Sequence, residues 1–280
     1  MRLKRYGVLV ISHGSRSREW VRLVDEAVEA VRLPEPMPVC SAFLEVVEGR
    51  LIQDGIDRLE AEGVTDLIAV PLFVSSGSTH MDEIAYALGV QEKPLLPTDL
   101  VPFRRRASVR LCAPLDDDPE AAGIVYEKLR PLSVSPDREI VILTGHGSDE
   151  DGFRERWKEG LHRLAGRLGG LGGFAAADYA TLLPDTLGGK VRDWQRRRPD
   201  CAVLIAPLFL SEGYFTGQVI PRRLEGLGYR YNGKALLPHP LLSRWLERRI
   251  AAALAEDRTT LLRTGDCKHG DESQKGEADL

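Results

Sequence analysis

The chain repeats itself. The run Gly7-Val8-Leu9-Val10-Ile11-Ser12-His13-Gly14-Ser15 returns as Ile140-Val141-Ile142-Leu143-Thr144-Gly145-His146-Gly147-Ser148. Each is an apolar stretch of strand length closed by His-Gly-Ser. A second pair, Ala69-Val70-Pro71-Leu72-Phe73 and Leu204-Ile205-Ala206-Pro207-Leu208-Phe209, follows at almost the same spacing. The histidines are offset by 133 residues (146 − 13) and the prolines by 136 (207 − 71). Both halves also close alike, with Ala113-Pro114-Leu115 and Leu237-Pro238-His239-Pro240 each leading into a terminal helix. Two motifs recurring at nearly one offset mark duplication of a unit of about half the chain. At roughly 150 residues per domain, the 280 residues also suit two units.

Within each unit, strand-like and helix-like patterns alternate. In the first, strands are predicted at residues 8–11, 38–42, 67–70 and 108–112. Helices are predicted at 19–32, around Leu51, Ile52, Ile56 and Leu59, at 81–88 and at 119–129. Gly63 stands where a helix C-cap glycine belongs, and Asp116-Asp117-Asp118-Pro119 gives a helix start its acid and its proline. Such alternation implies an α/β fold: two tandem similar units, each a parallel sheet flanked by helices. The expected division is a first unit over 1–133, a second over 138–258, and a disordered polar tail over 264–280, which has no apolar period. Residues 91–106 have no counterpart in the second unit and read as an insertion.

Charge and composition exclude several classes. Thirty-eight basic against 42 acidic residues give a net charge of −4, with no basic excess for a nucleic-acid backbone or an anionic membrane. No apolar run approaches the ~20 residues of a membrane span, and the N-terminus lacks the apolar length of a secretory signal, so a cytoplasmic protein is expected. Cys40, Cys112, Cys201 and Cys267 are scattered, without a C-x-x-C pair. No phosphate-cradling P-loop, nucleophile elbow or dinucleotide fingerprint occurs. Histidine phosphatases share His-Gly but need an arginine before the histidine, where this chain has Ser12 and Gly145.

Parallel sheets collect ligands at the carboxyl ends of their strands. His13 falls there after the first strand, Glu45 after the second and His80 after the third. Two imidazoles and a carboxylate with an open position make a coordination shell for a borderline divalent metal. Taken singly, each has an ordinary explanation: a histidine after a strand often caps a helix, and Glu45 suits a helix start. Their convergence on one rim is what points to chemistry. Arg16, Arg18, Arg104, Arg105, Arg106, Arg222 and Arg223 read singly as solvated surface. Gathered on one cleft, they would suit a ligand rich in carboxylates, which guanidinium pairs bidentately.

In this order Ser12-His13-Gly14-Ser15-Arg16, Ala42-Phe43-Leu44-Glu45 and Val70-Pro71-Leu72-Phe73 followed by His80 resemble the class II chelatases of the sirohydrochlorin chelatase type, which act in cobalamin and sirohaem biosynthesis. The two-unit layout is similar to the longer members, with the active site in the cleft between the units. The resemblance covers about residues 5 to 256. It implies that His13, His80 and Glu45 bind the incoming metal and serve catalysis. It further implies substrate contacts from Ser15, Arg16, Ser76, Gly77, Ser78 and Thr79. The substrates implied are a tetrapyrrole and a divalent metal, Co2+ favoured over Fe2+, with no nucleotide or redox cofactor, and a monomer is plausible. The second half departs from the pattern. Aligning Pro207 on Pro71 puts Thr216 at the place of His80, and Glu45 maps near Ala180, with Asp178 close by. His146 is therefore expected to be vestigial or structural. The alternatives from other classes are a non-catalytic metal carrier and a histidine-dependent hydrolase.

Overall fold

The computed structural model describes residues 4–266, with side chains as far as Asp257. The first unit runs β1 (Tyr6–Ser12), α1 (Arg18–Glu29), β2 (Val39–Phe43), α2 (Ile52–Ala61), β3 (Asp66–Pro71), α3 (Thr79–Ala87), β4 (Ser108–Leu111) and α4 (Pro119–Leu129). The second runs β5 (Glu139–Gly147), α5 (Phe153–Gly172), β6 (Ala176–Leu183), α6 (Leu187–Arg197), β7 (Ala202–Pro207), a π-helical turn (Phe215–Val219), α7 (Ile220–Arg223) and α8 (Pro240–Asp266). Helix α8 thus takes in the first three residues of the expected tail, and the remainder of that tail lies outside the described residues.

The first unit's strands form a parallel sheet in the order β2-β1-β3-β4, and the second unit's form a parallel sheet in the order β6-β5-β7. The registers repeat: Ile11 pairs with Pro71 in one sheet and Thr144 with Pro207 in the other. Strand alternation divides the core. Leu9 and Ile11 point to an outer layer with Ile52, Ile56 and Ile84 of α2 and α3, while Ile140 and Ile142 point to one with Leu187 and Val191 of α6. Val8 and Val10 of the first sheet and Val141 and Leu143 of the second turn the other way, into one shared core with α1, α4, α5 and α8. Both faces of each sheet are therefore covered, as parallel sheets require.

The closing helices cross over. Helix α4 ends the first unit yet packs on β7 and α5, while α8 ends the second yet packs on β3 and α1. Polar ties follow the same path. Ser243 Oγ donates to the Ala27 carbonyl at 2.9 Å, Glu247 accepts from the Arg32 amide at 2.7 Å, and Asn232 Nδ2 donates to the Lys128 carbonyl at 2.8 Å. This arrangement sets the carboxyl ends of β1 and β5 on opposite walls of one cavity. No helix among the described residues is long and apolar enough to cross a membrane.

Candidate active site

Strand β1 ends at Ser12, and the chain turns at Gly14, whose φ of +104° favours glycine. A Cβ there would stand 2.0 Å from the Glu45 carbonyl oxygen, so only glycine lets the loops after β1 and β2 approach this closely. The approach is locked by the Glu45 amide donating to the His13 carbonyl at 3.0 Å. Next to Glu45, Val46 takes φ +72°, a strained conformation for a β-branched residue. Helix α3 starts at Thr79 just beyond β3 and carries His80 in its first turn.

The two imidazoles meet as the sequence predicts. The rings of His13 and His80 lie edge to face, their centroids 4.6 Å apart at 73°. Each is held by its Nδ1. His13 Nδ1 donates to the Gly14 carbonyl at 3.1 Å, and His80 Nδ1 donates to Glu83 Oε1 at 2.5 Å. Those acceptors fix the Nε2 lone pair of both rings as the free donor. Glu45 stands further off, its Oε1 3.6 Å from His13 Nε2, and its side chain is 56% exposed. Among the described residues, no three His, Cys, Asp or Glu side chains stand close enough to hold an ion between them. The two imidazoles are thus brought together, and Glu45 stands further out.

Glu83 and Thr98 escaped the sequence reading. Glu83 sits one helical turn from His80, and Thr98 Oγ1, from the insertion, donates to Glu83 Oε2 at 2.8 Å. The available signal was the i,i+3 spacing of His80 and Glu83, which also suits an acid favouring a helix N-terminus.

A cavity of about 880 Å³ opens between the units, with His13 and His80 on one wall and His146 on the other. Ser15, Gly77, Ser78 and Thr79 of the expected substrate contacts line it. Arg16 is exposed outside the lining, and Ser76 instead gives its amide to Asp116 Oδ1 at 2.7 Å. The walls are largely aromatic and apolar, including Trp20, Trp157, Phe209 and Phe215.

The structure bears on three of the expectations. First, no arginine among the described residues lines the cavity, so the condition of several gathered on one cleft is not met there. Arg104 pairs with Asp57, Arg106 with Glu60 and Arg223 with Asp185, while Arg105 donates to the carbonyls of Leu88 and Ala107. Second, Leu183 rather than Ala180 holds the place of Glu45. A Cβ on Gly147 would meet the Leu183 carbonyl at 1.9 Å, just as Gly14 meets Glu45. Asp178 lies five residues back along β6, bound to Lys190 and Trp194. Third, Phe215 rather than Thr216 replaces the His80 ring. His80 touches His13 and Phe73, and Phe215 touches His146 and Phe209. The loop before this point is one residue shorter in the second unit, with eight residues from Pro207 to Phe215 against nine from Pro71 to His80, and the chain then enters the π-helix Phe215–Val219.

Comparison with known proteins agrees with this layout. The sequence profile of the CbiX family matches residues 7–132 and again 140–253. The sirohydrochlorin cobaltochelatase of Sulfolobus acidocaldarius is 26% identical over 129 residues, 46% of this chain and 94% of its own length, so one such relative spans one unit. Among solved structures, SirB from Bacillus subtilis with Fe3+ superposes with a TM-score of 0.70 at 18% identity, covering 91% of this chain and 98% of its own. A CbiX described as the terminal enzyme of sirohaem biosynthesis in denitrifying bacteria superposes at 0.60, again at 18% identity, covering 88% of this chain and 99% of its own.

Proposed function

Because the chain belongs to the CbiX family, whose profile its two halves both match, we propose that it is a sirohydrochlorin chelatase, a lyase-type enzyme that inserts a divalent metal ion into the tetrapyrrole. One observation carries the proposal. Two imidazoles with free Nε2 lone pairs face each other, 4.6 Å between centroids, at the edge of a cavity of about 880 Å³. That volume lies in the range of sites that enclose a large flat ligand.

The chemistry exchanges one ion for two protons. The hydrated metal trades water for the Nε2 atoms of His13 and His80, and Glu45 offsets its charge. Ring nitrogens of the tetrapyrrole then replace the protein donors one at a time, which an open coordination shell permits. Each pyrrole N–H bond breaks with its electron pair left on nitrogen, and neutral imidazole is a base of suitable strength to take the proton. The aromatic walls suit the flat centre of the macrocycle. With no arginine inside, the substrate's carboxylates are read as turned toward the rim, where Arg16 and Arg18 are exposed. Ser15, Gly77, Ser78 and Thr79 supply polar contacts at the ring edge. Both walls come from one chain, so a monomer suffices.

The test follows the visible spectrum of sirohydrochlorin with Co2+ or Fe2+. Wild-type protein is expected to accelerate the change, faster with cobalt. His13→Ala and His80→Ala are each expected to slow it by more than about a hundredfold. Metal binding with no change in the rate of spectral conversion would make the protein a carrier and end the chelatase reading.

A further inference from the structure

The second wall copies the first up to the point where a metal would need its second ligand. His146 Nδ1 donates to the Gly147 carbonyl at 3.1 Å, the same bond at the same length as His13 makes to Gly14. The His146 ring stands edge to face with Phe215, centroids 4.9 Å apart at 86°. A phenyl ring and the Leu183 side chain thus occupy the places of His80 and Glu45. An ion at this wall would find one nitrogen donor and two hydrocarbon groups, which is no site for a divalent metal. What survives is a basic nitrogen. The Nδ1 bond fixes the tautomer, and His146 Nε2 has no protein partner among the described residues. The ring lines the cavity, with Asp149 and Glu150 on the same wall.

We propose that His146 accepts a pyrrole proton from the face of the tetrapyrrole turned away from the metal. The assignment rests on the chelatase reading and extends it. A flat macrocycle in this cleft turns one face to His13 and His80 and the other to His146. As the ion approaches from the first wall, a pyrrole N–H bond on the far side breaks. Its electron pair stays on nitrogen to bind the metal, and its proton passes to His146 Nε2. The resulting imidazolium releases that proton to water at the cleft mouth, and the second pyrrole proton passes to the first-wall imidazole freed when a ring nitrogen replaces it on the ion. One divalent ion enters and two protons depart, so charge balances. The duplication has in this view split the labour: one copy kept the pair that holds metal, and the other kept a lone base and exchanged its remaining donors for apolar surface.

The experiment compares His146→Gln, His146→Ala and His146→Glu with wild type and His80→Ala. Three readouts are taken: single-turnover Co2+ insertion by absorbance, Co2+ affinity of the tetrapyrrole-free protein by calorimetry, and thermal unfolding. Gln places a polar group near the position of Nε2 but is not a base. Insertion is expected to slow about a hundredfold in both Gln and Ala variants, with Co2+ affinity within about twofold of wild type. His146→Glu, which restores a base, is expected to recover at least about tenfold of that loss. His80→Ala differs by losing Co2+ affinity. Wild-type rates in His146→Gln would overturn the assignment, as would loss of Co2+ affinity, or slow insertion in all three variants with lowered unfolding temperature. Absence of insertion by wild-type protein would instead remove the chelatase reading, and the assignment with it.

Discussion

At the scale of single residues, His80 is only as good a donor as the group behind it. Glu83 Oε1 accepts the hydrogen bond from its Nδ1 at 2.5 Å, and Thr98 Oγ1 donates to the other carboxylate oxygen. Carboxylate partners of this kind hold an imidazole in one tautomer, and their loss typically weakens metal binding 10- to 100-fold. Glu83→Ala is therefore expected to lower Co2+ affinity by about that factor, read by calorimetry. In Glu83→Gln, which keeps an acceptor without the charge, the 15N shifts of His80 should still report the Nδ1–H tautomer. Loss of that tautomer in Glu83→Ala but not Glu83→Gln separates positioning from general destabilisation. His13 and His80 were legible in the sequence because each follows an apolar strand run and stands out against it. Thr98 was not, since a hydroxyl fifteen residues from its partner leaves no periodic mark. The counterparts of His80 and Glu45 in the second unit were misplaced for a related reason. Unequal loops change the offset locally, and linear counting cannot see that.

At the scale of elements, residues 91–106 act as a brace on α3. The buried carboxylate of Asp82 accepts from the Leu95 amide at 2.7 Å and from Gln91 Nε2 at 2.6 Å, and the Phe103 amide donates to the Ala87 carbonyl at 2.8 Å. These bonds pin the loop to the helix that carries His80. Leaving buried donors without an acceptor costs about 1–3 kcal/mol. Asp82→Ala is thus expected to lower the unfolding free energy by that amount in a urea titration, and to slow metal insertion although Asp82 does not line the cavity. The absence of this segment from the second unit was plain in the sequence. Its bracing role was not, because the contacts run from backbone to side chain without hydrophobic periodicity. The arginines read singly as surface, and Arg104, Arg105 and Arg106, adjacent in sequence, are each spent on a different local partner.

At the scale of the whole molecule, the C-terminal helix straps the first sheet. Asp257 accepts from Lys4 Nζ at 2.5 Å and Tyr6 Oη at 2.6 Å, and pairs with Arg110 at 3.5 Å. The bond from Lys4, then that from Tyr6, holds the Asp257 carboxyl below its ordinary range. A folded-state pKa lowered in this way adds stability above the unfolded value near 4, and the contribution is lost as pH falls through the folded value. Asp257→Asn should therefore destabilise at pH 7 by on the order of 1 kcal/mol, because the group is partly solvated. The gap from wild type, read from urea midpoints, should close as pH drops below about 4. Duplication and α/β class were readable from the motif offsets and the alternating elements. The exchange of closing helices was not, since each helix has the same amphipathic pattern whichever sheet it covers.

That exchange also governs how the molecule could be divided. Severed in the stretch between α4 and β5, each piece would bare the apolar side of a helix shaped for the other, and would keep an unroofed sheet face of its own. Co-expressed halves are expected to reassemble in trans into a working split enzyme. Two copies of the first half are expected to dock α4 reciprocally and to set a His13–His80 pair on either side of one cleft, read as a dimer by light scattering.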